Sequence, residues 1–124
     1  MKSIILIAHG SRLQSSNHEA KQLVGNLAVK LSPKYPIVEV AFLELTSPSI
    51  ADAIESCIQQ GASEVCLMPY FLCAGNHVVR DIPSEVKPLQ EKYPHIPFNM
   101  TAHVGSSDLI THLLCELVDN QIPA

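Results

Sequence analysis

Two histidines that are far apart in the sequence each follow a short apolar run. His9 follows residues 4–8, and His77 lies in the segment that comes after residues 65–68. A neutral imidazole binds divalent transition metals and can also take up a proton near neutral pH. One such histidine alone is better interpreted as a loop residue with an ordinary hydrogen bond. Two histidines beside one crevice would instead indicate metal binding or proton transfer.

Other polar residues of the same segments suit the recognition of an anion or a cation. After His9, Gly10 would let a ligand approach the backbone closely, while Ser11 and Arg12 suit a carboxylate or phosphate. A tight turn with a solvated arginine is the alternative. Glu44 stands in an otherwise apolar stretch, where it could bind a cation, receive a proton or orient a histidine. An exposed charge at the end of a strand is an equal alternative for Glu44.

The segment 69–83 is long and apolar, although a solvated connection is expected there. Connections of this length in compact domains tend to be functional. Its residues 70–72 could form an apolar floor for a flat ligand, pack in the core or form a subunit interface. Cys73 could ligate a metal, but a buried small hydrophobe is the simpler interpretation. His103 ends the last apolar run near the same edge, where it is either an outer contributor to the site or a turn residue.

Four short apolar runs alternate with four amphipathic stretches, which predicts the order βαβαβαβα. The predicted strands are 4–8, 37–43, 65–68 and 96–102. The first predicted helix begins near 15–17, where Ser15, Ser16 and Asn17 are all competent N-caps. The second has Ser47 as its N-cap and Pro48 at its first position, and its predicted inward stripe is Ile50, Ala53, Ile54, Cys57 and Ile58. The third begins at Ile82-Pro83 with Val86 and Leu89 facing inward, and the fourth begins at Ser106 or Ser107. The last helix carries an apolar stripe formed by Leu109, Ile110, Leu113, Leu114 and Leu117.

Strands joined by helices predict an α/β fold with a parallel sheet and helices on both faces. The expected strand order is 2-1-3-4, the flavodoxin-like arrangement. In that order the chain turns opposite ways after strands 1 and 3, and ligands bind in the crevice at the carboxyl ends of those strands. His9 and His77 both flank this crevice. Residues 1–124 are expected to form a single domain with its own core.

Composition excludes several classes of function. The formal net charge of -4 argues against a general nucleic-acid-binding protein, which needs a basic surface. The four cysteines form no C-x-x-C pair, so neither a zinc knuckle nor a redox motif is visible. The first apolar run is too short for a signal peptide or a membrane span, which predicts a cytoplasmic protein with reduced thiols and no membrane partner. No phosphate-binding loop is present, so no nucleotide is expected.

Three segments together resemble the motifs of class II chelatases of the CbiX and SirB type. They read IILIAHGSR at 4–12, VAFLELTSPSI at 40–50, and PYFL with GNH and DIP within 69–83. The resemblance implies a chelatase-like three-layer sandwich that inserts a divalent metal into sirohydrochlorin or a related tetrapyrrole. Cobalt is the first expectation for that metal, with iron and nickel as alternatives. The metal-binding histidines of the family correspond to His9 and His77, and its acidic residue corresponds to Glu44.

The resemblance also implies how substrate and subunits are arranged. Candidates for holding the carboxylates of the tetrapyrrole are Gly10, Ser11, Arg12, Asn76 and Arg80. The chain resembles the short, one-lobed form of the family, which implies a homodimer with the active site between subunits. A metal or tetrapyrrole carrier without turnover remains an alternative. A histidine phosphatase is disfavoured, because Ala8 stands where that chemistry needs an arginine.

Overall fold

The computed structural model describes the backbone of residues 1–124 and all side chains except those of His77 and Val79. The strands are β1 Lys2–Ala8, β2 Ile37–Phe42, β3 Glu64–Pro69 and β4 Phe98–Met100. The helices are α1 Gln14–Leu31, α2 Ile50–Gln59, α3 Ile82–Lys92 and α4 Leu109–Asp119. A π-helical turn covers His77–Asp81 and a 3-10 turn covers Val104–Ser106. None of the helices described is both long and apolar enough to cross a membrane.

The four strands form one parallel sheet in the order β2-β1-β3-β4, which confirms the predicted topology. Six of the seven residues of the central strand β1 are buried. Ile5 and Ile7 pack on one face of the sheet, whereas Leu6 and Ala8 pack on the other. The continuous apolar run of β1 predicted a strand covered on both faces, and this burial confirms the prediction.

Helices cover the two faces of the sheet unequally. On one face, α1 packs Ala20 and Val24 against Leu6 and Phe42. On the other face, α2 and α3 together bury a larger cluster. It includes Ile5, Ile7, Ile50, Ala53, Ile54, Cys57, Val65, Leu67, Ile82, Val86 and Leu89. The predicted inward stripes of α2 and α3 are thereby confirmed, and the fold is the expected α/β sandwich.

The apolar stripe of α4 is exposed. The helix forms where its periodicity predicts, but none of its residues is buried. Leu113 and Leu117 are 47% and 61% exposed. An amphipathic pattern shows that a helix has an apolar face, but it does not show which surface covers that face.

Several predicted boundaries also differ from the structure. β4 spans only Phe98–Met100 rather than 96–102, and α1 begins at Gln14 rather than at 15–17. The predicted loop 69–81 is shorter, because the chain turns helical at His77–Asp81 and continues directly into α3. Helix ends depend on local hydrogen bonds that hydrophobic periodicity does not report.

The start of α2 shows this directly. The sequence predicted Ser47 as the N-cap with Pro48 in the first turn, but the cap is Ser49. The backbone N–H of Asp52 donates to the Ser49 hydroxyl oxygen at 3.1 Å, which satisfies one of the unpaired amides of the first turn.

We therefore expect Ser49→Ala to lower the free energy of unfolding by about 1 kcal/mol, the usual cost of losing an N-cap. Ser47→Ala is the matched control, because Ser47 is exposed and lies outside the helix. Chemical denaturation of both variants measures the difference. An equal loss in both variants, or a larger loss in Ser47→Ala, would contradict the cap at Ser49.

Candidate functional site

The carboxyl ends of β1 and β2 stay paired beyond the strands themselves. The Leu43 N–H donates to the Ala8 carbonyl at 2.9 Å, and the Glu44 N–H donates to the His9 carbonyl at 3.1 Å. This backbone pairing holds Glu44 directly beside His9, although 35 positions separate them in the sequence. The edge of the sheet where the crevice was predicted therefore carries this pair of residues.

The two side chains meet in a hydrogen bond. His9 Nε2 lies 2.9 Å from Glu44 Oε1, and the two side chains are 45% and 54% exposed. When Nε2 carries the proton, it donates to the carboxylate and Nδ1 carries the lone pair. The carboxylate then orients the ring. Such a pair can bind a metal ion or accept a proton.

Gly10 is required for this arrangement. Its φ angle is +96°, in the left-handed region that favours glycine, and a Cβ at this position would overlap the carbonyl oxygen of Glu44. The sequence predicted that the glycine would let a ligand approach the backbone. The group that approaches is instead the backbone of Glu44, so Gly10 holds the histidine and the acid together.

Asn17 is a residue whose role the sequence did not reveal, since we considered it only as a helix cap. It is 2% exposed, and its amide forms two hydrogen bonds with the backbone of Ser11. The Ser11 N–H donates to Oδ1 at 3.0 Å, and Nδ2 donates to the Ser11 carbonyl at 2.7 Å. The available signal was its spacing, because Asn17 shares the inward face of α1 with Ala20 and Val24. A polar residue on that face needs a buried partner.

Ser11 and Arg12 lie on the loop that Asn17 holds. The Ser11 hydroxyl oxygen accepts a hydrogen bond from the Leu13 N–H at 3.0 Å, and Arg12 is exposed. His9, Gly10 and Ser11 also line a groove of 640 Å³ that runs along α1 and reaches Tyr70. This volume falls within the range of small-molecule sites.

The remaining predicted site residues follow β3. The Tyr70 N–H donates to the Ile7 carbonyl at 2.8 Å, which places the start of this segment beside the end of β1. Asn76 and Arg80 are exposed on the same segment. The backbone of His77 begins the helical turn His77–Asp81, but its side chain lies outside what the structure describes.

A second, more acidic cleft of 320 Å³ is lined by Glu44 together with Leu43, Asp81, Ser84 and Glu85. Burial raises the pKa of Glu85, and the negative charge of Asp81 raises it further. His9 therefore lines the groove along α1, while its partner Glu44 lines a cleft that contains two further acids.

Cys73 and His103, the two other candidate metal ligands, do not join the His9–Glu44 pair in the structure described. Cys73 is exposed, so the interpretation of a buried small hydrophobe is wrong, because its loop runs over the surface. His103 is half-buried, and its backbone carbonyl accepts from the Ser106 hydroxyl at 2.6 Å. Among the side chains that the structure describes, no three His, Cys, Asp or Glu groups converge to hold a metal. The side chains of His9 and Glu44, two of the predicted site residues, are in contact.

We expect Gly10→Ala to destabilise the protein by at least about 1–2 kcal/mol, because an L-residue is strained at this φ and the new methyl group meets Glu44. Gly25→Ala is the control. Gly25 lies in α1 with nothing near its missing Cβ, so the substitution should stabilise by up to about 1 kcal/mol. Thermal or chemical denaturation measures both, and the same sign of change in both variants would contradict the role assigned to Gly10.

Comparison with known proteins gives a consistent result. The CbiX family model matches residues 3–121. A chloroplastic sirohydrochlorin ferrochelatase of Arabidopsis thaliana is 37% identical over 117 residues, covering 94% of this chain and 51% of that protein. A sirohydrochlorin cobaltochelatase of Methanococcus aeolicus is 41% identical over 85 residues, covering 67% of this chain and 57% of that protein.

Among solved structures, the sirohydrochlorin chelatase SirB of Bacillus subtilis subspecies spizizenii in complex with cobalt superposes with a TM-score of 0.86 at 29% identity. The alignment covers 97% of this chain and 51% of SirB. The chain thus spans about half the length of these relatives. Sequence motifs, sheet order and family match agree, and the chain belongs to the CbiX family.

Proposed function

We propose that this protein is a sirohydrochlorin chelatase, which inserts a divalent metal ion into the tetrapyrrole without a nucleotide. The observation that carries the proposal is the His9–Glu44 pair at the crevice, with Nε2 and Oε1 2.9 Å apart. Its relatives are named for sirohydrochlorin chelation, which supports the same reaction here. Both the metal and the tetrapyrrole are substrates of this reaction.

Insertion replaces two pyrrole N–H protons and the water ligands of the metal by bonds from the ring nitrogens to the metal. His9 is the group we assign to hold the incoming metal or to accept a pyrrole proton. Glu44 stabilises the imidazolium that proton uptake produces, and it can pass the proton to solvent because it is half exposed. We assign His77 as the second metal-binding histidine from its motif and from the position of its backbone after β3.

The carboxylates of the tetrapyrrole need positively charged groups close to them, because the protein as a whole carries a formal charge of -4 and would repel an anion. Arg12 and Arg80, on the segments after β1 and β3, are the cations we assign to the tetrapyrrole carboxylates. Gly10, Ser11 and Asn76 complete this proposed substrate site. The groove of 640 Å³ that starts at His9 supports the placement of one edge of the macrocycle there.

Cobalt is the metal we propose first, and iron and nickel are the alternatives to compare with it. Relatives of this chain include both a ferrochelatase and a cobaltochelatase, so their names support the reaction but do not select the ion. We propose the cytoplasm as the site of the reaction. A tetrapyrrole or metal carrier with the same fold is the second candidate function, and turnover distinguishes the two.

We also propose that 1–124 forms one domain and that two copies form a homodimer with the active site between them. The chain aligns with only about half of its relatives, so it supplies one wall of a cleft for a broad ligand. Tyr70 and Leu72, 43% and 70% exposed, lie at the edge where a second wall would stand. A two-fold pair is the commonest way for a soluble protein to add such a wall.

The function is tested by following the absorbance of sirohydrochlorin with Co²⁺, Fe²⁺ or Ni²⁺. The protein should accelerate insertion above the spontaneous rate over many turnovers. We expect His9→Ala and His77→Ala to lower the rate by about 10²-fold or more, as for the loss of a proton-transfer group. Glu44→Gln should lower it by about 10–100-fold, as for a residue that supports a ligand.

The control is His95→Ala, an exposed histidine outside the candidate site, which should keep the wild-type rate. All variants should unfold within about 0.5 kcal/mol of the wild type, as expected for surface substitutions. Binding of one tetrapyrrole per site with no acceleration by any metal would reject the chelatase and favour the carrier.

A further inference from the structure

Leu45, which follows Glu44, has a backbone conformation that is unusual for leucine. Its φ angle is +69°, and among the residues that the structure describes it is the one non-glycine residue with a positive φ. In this left-handed region Cβ comes too close to a carbonyl oxygen, so glycine adopts it readily, and asparagine or aspartate does so with help from a polar side chain. Leucine has no such polar group. The fold therefore holds residue 45 in a conformation that costs free energy.

Packing within the chain does not offset this cost. The side chain of Leu45 is 51% exposed, whereas that of Leu43, two residues earlier, packs against the core cluster formed with α2 and α3. Burial of apolar surface is the main favourable contribution that a leucine makes to a fold. Residues in strained backbone conformations cluster at active sites and ligand clamps. The conformation of Leu45 therefore indicates a contact with a ligand.

The backbone of Leu45 lies beside the His9–Glu44 pair. A Cβ on Gly10 would overlap the carbonyl oxygen of Glu44, so the peptide group that joins Glu44 to Leu45 lies against Gly10. Consecutive Cα atoms are only about 3.8 Å apart. Leu45 therefore adjoins both residues of the pair, Glu44 through the chain and His9 through Gly10.

Leu45 is one of four exposed apolar side chains on the segments that follow the first three strands. Leu13 follows β1, Leu45 follows β2, and Tyr70 and Leu72 follow β3. We call these four residues the apolar rim. Because the three strands are parallel, the segments start from the same edge of the sheet, the edge that carries the His9–Glu44 pair. Apolar side chains around a few polar groups are typical of a site for a largely apolar ligand.

The chemistry of the proposed substrate indicates which part of it Leu45 contacts. A tetrapyrrole has an apolar ring with nitrogens at its centre, and its carboxylates lie around the periphery. His9 must reach the centre of the ring for insertion, and Leu45 adjoins His9 through Gly10. A side chain in this position faces the ring, whereas the carboxylates lie farther out.

We infer that Leu45 is a contact residue for the macrocycle. Its side chain lies on the face of the bound tetrapyrrole beside the His9–Glu44 pair, and the left-handed backbone at residue 45 holds it there. The inference rests on the function proposed above and adds a residue that binds the ring rather than the metal. Binding of the ring removes the exposed half of the leucine from water, which supplies in the complex the stabilisation that the free protein lacks.

Titration with sirohydrochlorin in the absence of metal measures the contact through the absorbance of the tetrapyrrole. Leu45→Ala should raise the dissociation constant about four- to tenfold, the loss expected when roughly half of a leucine is no longer buried by the ligand. Leu45→Met keeps the volume and should restore most of the affinity. Val29→Ala, at an exposed apolar residue near the end of α1, is the control and should bind as the wild type does. Unchanged binding by Leu45→Ala, or an equal loss in Val29→Ala, would overturn the inference.

Melting temperatures separate the backbone from the side chain. Leu45→Gly also removes the leucine side chain, but glycine adopts the left-handed conformation without strain. It should therefore bind sirohydrochlorin as weakly as Leu45→Ala and melt at a higher temperature than Leu45→Ala. A lower melting temperature would overturn the role assigned to the backbone of residue 45.

The methyl resonances of Leu45 test the contact directly, in protein with isotopically labelled leucine and valine methyl groups. The ring current of a conjugated macrocycle shifts a proton above its face upfield and a proton at its edge downfield. The Leu45 resonances, identified by their absence in Leu45→Met, should move upfield when sirohydrochlorin binds, and those of Val29 should not move. A downfield shift of the Leu45 resonances, or no shift, would overturn the inference.

The same measurements separate this inference from the proposed function. A wild-type protein that binds no sirohydrochlorin overturns both. Binding with an upfield shift of the Leu45 methyl groups, but without acceleration of insertion by any metal, rejects the chelatase and supports the contact.

Discussion

The structure of the candidate site depends on the parallel pairing of β1 and β2, which continues past the end of both strands. Two further backbone hydrogen bonds, from Leu43 to Ala8 and from Glu44 to His9, carry the register of the sheet into the loops. The side chains of His9 and Glu44 can meet because the backbones approach closely at Gly10, where a side chain would collide with Glu44. The register of the sheet thus sets the distance between the imidazole of His9 and the carboxylate of Glu44.

The buried sheet makes this register rigid. Ile5, Ile7 and Val65 are fully buried, and the cluster formed with α2 and α3 covers one whole face. On the opposite face, Asn17 holds the loop after His9 by both polar atoms of its amide. The half-exposed His9–Glu44 pair therefore lies at an edge of the sheet that is held by two features. Apolar packing fixes the strands, and the buried amide of Asn17 fixes the loop after His9. Such support preorganises a site on rigid elements.

The last helix is tied to the candidate site rather than buried against the sheet. Helices α2 and α3 pack on one face of the sheet and α1 packs on the other, whereas no residue of α4 is buried. The 3-10 turn before α4 is bound to the segment after β3, which carries Tyr70, Asn76 and the backbone of His77. The segment that carries these proposed site residues is therefore also the one to which the start of α4 is bound.

Features of the fold and the site that depend on residues close together in the sequence could be predicted, whereas contacts between distant residues could not. The alternating apolar runs predicted the four strands, the four helices and the 2-1-3-4 order, because periodicity is local and the connection rules for parallel sheets are few. They also placed His9 and His77 on the segments after β1 and β3. They did not predict that Ser49 rather than Ser47 caps α2. Both are serines near the start of the helix, and the structure shows that it is the Ser49 hydroxyl that accepts from the Asp52 N–H.

The sequence by itself determined the sheet, its crevice and the residue types at the crevice, because these depend on hydrophobic period and strand order. The tertiary structure decided which of those residues touch. It showed that Gly10 accommodates the backbone of Glu44, that Asn17 is a buried support rather than a cap, and that no residue of α4 is buried. These outcomes depend on contacts between residues distant in the chain, and the same local pattern is compatible with several such contacts.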